Sequence, residues 1–214
     1  MTRFAILLGG DLVVTPRLTR QLDGARIIAA DSGMRHADAL GLAPELWTGD
    51  FDSVDAPLRA AHADVPVEVF PPEKDKTDGE IAVEAALARG ATELLLVGAL
   101  GGARADHAFL HLAAALRLAE AGTPCQLTSG TQEGVPLLPG AHAFDYEAGT
   151  VFSVLPFSDL EGLTLSGVKW PLVERAVPFG SSLTLSNEVA NDLEVWLASG
   201  RAMLVAHPIS YFRI

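Results

Sequence analysis

Within residues 1–128, five short apolar runs alternate with segments long enough to be helices, and each run ends at glycine, proline or aspartate. Phe4–Leu8 ends in Gly9-Gly10-Asp11, Arg26–Ala30 in Asp31-Ser32-Gly33, and Leu46–Thr48 in Gly49-Asp50. Val65–Phe70 ends in Pro71-Pro72, and Glu93–Val97 in Gly98. Strands buried on both faces read as continuous apolar runs, and strands alternating with helices make a mainly parallel sheet covered on both sides. The intervening segments Met34–Leu42, Val54–Ala63, Asp78–Arg89 and Asp106–Ala121 are rich in Ala, Leu and Glu, which favour helix. In the last of them Phe109, Leu112, Ala113 and Leu116 recur at three- and four-residue steps, one face of a helix. Pro124–Thr128 reads as a sixth strand.

The pattern changes after Thr128-Ser-Gly-Thr-Gln-Glu-Gly134, a turn-rich bridge. Short runs then recur between turns: His142–Tyr146, Thr150–Leu155, Leu163–Leu165, Leu183–Leu185, Leu193–Leu197 and Ala202–Ala206. Leu193, Val195 and Leu197 alternate with Glu194, Trp196 and Ala198, the period of a half-buried strand. The expected architecture is therefore an α/β domain over residues 1–130, with a mainly parallel sheet and flanking helices. A small antiparallel β-sandwich or barrel is expected over 134–214.

The net charge of −12 is spread along the chain, with 18 acidic and 11 basic side chains in 1–128 and 9 and 4 in 129–214. Such a chain repels nucleic acid and anionic membrane, and a phosphate ligand would need metal ions or local basic groups. No apolar run approaches the roughly 20 residues of a membrane span, and Phe4–Leu8 is too short for a signal-peptide core. Cys125 stands alone, which excludes an intrachain disulfide and suits a reducing, cytoplasmic setting.

In open parallel sheets, ligands bind outside the carboxyl ends of the strands. The unusual polar clusters fall at such ends. Asp31 follows the second strand, and Asp50 and Asp52 the third. Lys74-Asp-Lys-Thr-Asp78 follows the fourth, and Gly101-Gly-Ala-Arg-Ala-Asp-His107 the fifth. In an extended Asp50-Phe-Asp52 both carboxylates point one way while Phe51 anchors the other side, and two such carboxylates suit a hard cation such as Mg²⁺. On that stretch alone, a turn with an Asp52-Ser53 helix cap accounts for the same residues. Lys74, Lys76 and Arg104 offer positive charge to phosphate, and Gly101-Gly102 lets backbone approach a ligand beside a helix N-terminus. No activated nucleophile, dinucleotide fingerprint or Walker loop is present. Carboxylates and cations without a covalent nucleophile suit phosphoryl-type transfer. His107 and His111 have the spacing of a zinc pair, but no third ligand accompanies them and a polar helix face is the simpler reading.

These elements resemble the thiamin pyrophosphokinase family, whose strand-end pattern is Asp-Gly-Gly, Gly-Asp-Phe-Asp-Ser, Lys-Thr-Asp and Gly-Gly-Arg-x-Asp-His. The counterparts here are Asp31-Ser-Gly33, Gly49-Asp-Phe-Asp-Ser53, Lys74-Asp-Lys-Thr-Asp78 and Gly101-Gly-Ala-Arg-Ala-Asp-His107. Gly167-Val-Lys-Trp-Pro-Leu172 resembles the family's Gly-Leu-Lys-Tyr-Pro-Leu, and Ser186-Asn-Glu188 extends the match. Ser32 replaces a family glycine, Ala103 is an insertion, and the tryptophan that animal members stack on thiamin has no assigned counterpart.

The resemblance implies a homodimeric enzyme that transfers pyrophosphate from ATP to the hydroxyl of thiamin, with Mg²⁺ as cofactor. It implies Asp50, Asp52 and Asp78 as metal ligands, and Lys74, Lys76, Thr77, Gly101, Gly102, Arg104 and His107 as the ATP site. Asp31, Asp78, Arg104 and Asp106 would be the catalytic group. Asp31, Ser186 and Asn187 would face thiamin, the last two across the dimer interface. A pyrophosphokinase acting on another hydroxymethyl acceptor such as a pterin, and a non-catalytic nucleotide sensor, are the alternatives.

Overall fold

The computed structural model describes residues 1–71 and 75–208. They divide into two compact units, residues 1–111 with 127–130, and residues 112–126 with 131–214.

The first unit is built on a parallel sheet. Strands β1 (Arg3–Leu7), β2 (Arg26–Ala30), β3 (Leu46–Gly49), β4 (Val67–Val69) and β5 (Glu93–Val97) lie in the order β4-β3-β2-β1-β5. Register runs Phe4 to Arg26 and Leu94, Ile28 to Leu46, and Trp47 to Val67. Successive residues alternate between the faces. Ala5, Leu7, Ile27, Ala29, Leu95 and Val97 join one core with Leu18, Met34, Trp47 and Phe51. Helix α4 (Asp78–Ala88) packs against β1, β2 and β3 and buries Ile81, Ala82, Ala85 and Ala86. The apolar runs at β1, β2, β3 and β5 are thus doubly covered strands, as expected, whereas β4, at the sheet edge, leaves Val67 and Val69 exposed.

Between the strands lie α1 (Pro16–Leu22), a 3-10 turn over Asp31–Arg35, α2 (His36–Leu40) and α3 (Ala56–Ala61). Helix α5 (Ala105–Glu120) follows β5, and β6 is Cys125–Thr128. Helix α1 is absent from the sequence reading, although Thr15-Pro16 is a start signal. The Thr15 hydroxyl accepts from Leu18 N at 3.1 Å and proline occupies the first turn. The expected helix Met34–Leu42 is broken into a 3-10 turn and a short helix. A Cβ on Gly33 would lie 2.1 Å from the Leu7 carbonyl oxygen, so this segment is pressed against β1 and follows the strand, not helix propensity. The helix expected over Val54–Ala63 shortens to Ala56–Ala61 and is capped by Asp55, which accepts from Leu58 N at 2.8 Å. The alternative cap at Asp52-Ser53 is therefore not formed.

The second unit is antiparallel. Its strands are β7 (Glu133–Leu137), β8 (Gly140–Phe144), β9 (Val151–Pro156), β10 (Leu160–Val168), β11 (Leu172–Val177), β12 (Asn187–Leu197) and β13 (Ala202–His207). Strand β13 lies between β7 and β9, while β10 lies between β11 and β12, and β8 pairs with β12. Asn187 and Glu188 at the start of β12 pair with β9, so the strand passes from one layer to the other, as in packed β-layers. The layers enclose Phe152, Val154, Leu163, Leu165, Leu193, Val195, Leu197 and Leu204.

Two of these strands escape sequence reading. β7 contains Gly134 and Pro136, poor strand residues that are held by pairing with β13. β11 pairs irregularly with β10, and its Glu174 is left-handed at φ +47°. The strand expected at Leu183–Leu185 is a turn. Thr184, between the two leucines, is buried and its hydroxyl donates to the Val154 carbonyl at 2.5 Å, which leaves both leucines exposed.

Candidate active site

The chain runs outward from β1 through β2 and β3 to β4, then returns to β5 on the other side of β1. The strand order therefore reverses at β1 and β5, and such a reversal opens a crevice at the carboxyl edge. Here the crevice is a cleft of about 620 Å³. Its floor is glycine. A Cβ on Gly10 would lie 2.2 Å from the Gly98 carbonyl oxygen, so the loops Gly9–Asp11 and Gly98–Gly102 pass in near contact. Gly101 and Gly102, at φ +86° and +90°, adopt a backbone that side chains resist.

Asp31, Asp50 and Asp52 offer carboxylate oxygens within 4.8 Å of one another. The expected extended geometry is not how this happens. β3 stops at Gly49, Phe51 turns left-handed at φ +63°, and Asp52 N donates to Asp50 Oδ1 at 3.2 Å. Phe51 is the apolar anchor nonetheless: it is 6 % exposed and meets Trp47 edge-on with ring centroids 5.0 Å apart. Trp47, 1 % exposed, donates its indole N–H to the Asp31 carbonyl at 2.8 Å. One aromatic pair thus fixes both ends of the cluster. Repulsion from Asp50, then burial and Asp31, pushes the Asp52 carboxyl above the usual carboxylate range.

Asp31 is 9 % exposed. Its Oδ2 accepts from the Ser53 hydroxyl, while Oδ1 is buried with no hydrogen-bond partner. A buried carboxylate oxygen without a donor is costly unless a cation completes it. With two further carboxylates beside it, the donor set is all oxygen and suits Mg²⁺. Asp78 stands on the cleft wall in the first turn of α4, close enough for its charge to reach Asp52. The structure therefore groups Asp31 with the Asp50–Asp52 pair, and Asp78 lines the same cleft within electrostatic reach of Asp52.

Thr77, also in the cleft, caps α4. Its hydroxyl accepts from Glu80 N at 3.2 Å and Glu80 Oε2 accepts from Thr77 N at 3.1 Å, a reciprocal box. Lys76 lines the cleft and is paired with both carboxylate oxygens of Glu84 at 2.8 Å. Lys74 lies outside the described residues. Arg104 lines the cleft and forks onto Asp106 at 2.9 and 2.6 Å, which holds the Asp106 carboxyl far below its ordinary range. Gly101, Gly102 and His107 also face the cleft.

Sequence reasoning passed over Arg35 and read His111 as part of a polar helix face, and both line the cleft. His111 faces a ring nitrogen, Nδ1, to the Ala99 carbonyl at 2.9 Å. Burial lowers its pKa from 6.5, opposed by the Ala99 bond and Glu80, with His107 adding to the lowering. His36 behaves alike: burial lowers it first, against its bond to the Gly10 carbonyl. A histidine whose native pKa is depressed resists protonation that the unfolded chain accepts, so stability is full above the unfolded value and falls as pH drops below about 6.5. The urea midpoint is expected to decline between pH 7.5 and 5.5, and the His36→Gln, His111→Gln double variant to decline less. Parallel curves for the two proteins would remove these histidines as the cause.

Within the second unit, the remaining motifs meet each other. Asn187 is buried, its amide oxygen accepts from Trp170 N at 3.2 Å, and its amide nitrogen donates to the Trp170 carbonyl at 2.8 Å. Lys169 N donates to the Glu188 carbonyl at 2.9 Å, and its ammonium reaches Glu188 Oε2 at 3.1 Å. A Cβ on Gly167 would lie 1.8 Å from the Asp192 carbonyl oxygen. Gly167–Leu172 and Ser186–Glu188 therefore form one structural unit, with Ser186 exposed and left-handed at φ +57°.

Residues 21–127 match the thiamin pyrophosphokinase catalytic domain, and residues 142–204 match the family's vitamin B1 binding domain. The chain belongs to the thiamin pyrophosphokinase family. It is by family an ATP-dependent pyrophosphotransferase with thiamin as acceptor, and a pterin acceptor is not favoured. The thiamine pyrophosphokinase of Bacillus subtilis strain 168 is 29 % identical over 194 residues, covering 88 % of this chain and 90 % of that protein. A crystal structure of the thiamine pyrophosphokinase from Bacillus subtilis superposes with a TM-score of 0.86 at 25 % identity, covering 97 % of this chain and 99 % of that one. That from Geobacillus thermodenitrificans gives 0.78 at 30 % identity, covering 97 % of each. The fungal structure from Candida albicans shares the fold at 12 % identity with a TM-score of 0.81, covering 97 % of this chain and 89 % of that one.

Proposed function

We propose that the cleft at the carboxyl edge of β1–β5 is where pyrophosphate passes from Mg·ATP to the hydroxyl of thiamin, giving thiamin diphosphate and AMP. The observation that carries this reading is the grouping of Asp31, whose Oδ1 is buried without a donor, with Asp50 and Asp52, their carboxylate oxygens within 4.8 Å of one another at the cleft. Asp50, Asp52 and Asp78 would hold Mg²⁺, with Asp31 added to them by its place beside the Asp50–Asp52 pair. The ion, when bound, supplies positive charge to the phosphate chain. The glycine loops bring backbone up to the phosphates, and Lys74, Lys76, Thr77, Arg104 and His107 complete the ATP site. Arg104 and Asp106, locked to each other, orient the transferring group. The thiamin oxygen bonds to the β-phosphorus, the bond to the α,β-bridging oxygen breaks, and AMP leaves. The hydroxyl proton passes to a carboxylate of the cleft.

We assign the ATP and Mg²⁺ functions to residues 1–130, and thiamin binding and dimerisation to 134–214. Ser186 would meet thiamin directly, and Asn187 would act by holding Trp170. The homodimer is what the family implies, and Val173, Phe179 and Trp170, exposed at 72, 68 and 55 %, are apolar side chains that such an interface would cover. No described helix is long and apolar enough to cross a membrane. The lone buried Cys125, its thiol pushed up to about 12 by burial, suits a cytoplasmic location.

Incubation with Mg·ATP and either thiamin or a hydroxymethylpterin tests the acceptor. Thiamin diphosphate and AMP are expected in equal amounts with thiamin and no AMP with the pterin. The reverse pattern would overturn the reading.

A further inference from the structure

Three described cations line the cleft, and their partners differ. Lys76 is neutralised by Glu84 and Arg104 by Asp106. Arg35 makes no ion pair among the described residues. Its one bonded nitrogen donates to two neutral acceptors, the carbonyls of Gly9 and Gly10. The neighbouring His36 grips the Gly10 carbonyl as well, at 2.9 Å. Arg35 is thereby oriented over the glycine floor, four residues from Asp31, with its remaining N–H groups and its full charge uncommitted. Arginine offers donors in a planar fork that matches phosphate oxygens, and a charge-assisted pair of that kind is stronger than a neutral bond. Thiamin itself carries a fixed positive charge, which Arg35 would repel.

We infer that Arg35 is a phosphate-binding residue of the donor site, gripping the phosphate chain of ATP from its seat on the Gly9 and Gly10 carbonyls. The inference rests on ATP as donor, so the parent protein is first shown to form thiamin diphosphate; failure there sinks the functional reading itself. Binding of an α,β-methylene ATP analogue with Mg²⁺, and of adenosine, is then measured by calorimetry on Arg35→Gln and Arg35→Lys. Glutamine removes the charge, whereas lysine keeps it. The analogue is expected to bind Arg35→Gln about 10-fold or more weakly, with adenosine unchanged and Arg35→Lys retaining part of the loss. The KM for ATP should rise without a matching change in the KM for thiamin. Parent-like analogue binding by Arg35→Gln would reduce Arg35 to a clip on the loop. An equal loss for adenosine, or an equal fall for the Lys and Gln variants, would likewise overturn the proposal.

Discussion

Replacing Asp52 by Asn is expected to lower turnover on the order of 100- to 1,000-fold while leaving the metal-free protein at least as stable as its parent. The two effects have one cause. Asp50 and Asp31 crowd the Asp52 carboxylate and raise its pKa, so at neutral pH the native state carries a repulsion that the unfolded chain lacks. A carboxyl with a raised native pKa costs stability above that pKa, and a neutral amide removes the cost. The same crowding is what a bound cation would relieve. Mg²⁺ should therefore raise the parent's urea midpoint and move that of Asp52→Asn much less, because only binding to the native state stabilises it. Denaturation with and without Mg²⁺, alongside steady-state rates, reads both effects. A near-parent rate at saturating Mg²⁺ would take Asp52 out of the metal site.

Trp47→Ala is expected to cost about 3–5 kcal/mol, the usual range for emptying a buried large aromatic position. Since whole domains are stable by only about 5–15 kcal/mol, this single change could unfold much of the population. Trp47 does more than fill space. It supports Phe51 from below and donates to the Asp31 carbonyl, so its loss frees Asp31 and the Asp50–Asp52 turn together. Trp47→Phe separates packing from hydrogen bonding. It keeps a ring against Phe51 but leaves a buried carbonyl without its donor, at about 1–3 kcal/mol. Urea titration measures stability, and Mg²⁺-dependent ATP binding measures the cluster. A Trp47→Phe protein that melts and binds like the parent would show that the indole N–H holds nothing.

The first unit was legible because its inner strands are apolar on both faces, so runs such as Phe4–Leu8 and Glu93–Val97 stood out without any partner being known. Their ends carried glycine and aspartate, which is why the clusters at Asp31, Asp50 and Gly101 could be placed on one edge. Strands β7 and β11 were illegible for the opposite reason. Their residues have poor strand propensity, and pairing with β13 and β10 holds them in place. Helix α1 carried a signal in Thr15-Pro16, but its short span hid it.

At the site, local chemistry and long-range placement divide cleanly. Residue types alone raised the expectation of an oxygen-rich cation site beside phosphate-binding groups, because several such clusters fall at strand ends of one sheet. The order β4-β3-β2-β1-β5 was beyond sequence, and it decides that the loops after β1 and β5 meet and that Arg35 hangs over them. Only the tertiary structure could bring Asp31 to the Asp50–Asp52 pair and Asp78 into the same cleft. Spacing along a chain describes neighbours within one strand end, whereas a metal site is assembled from ends that the sheet sets side by side.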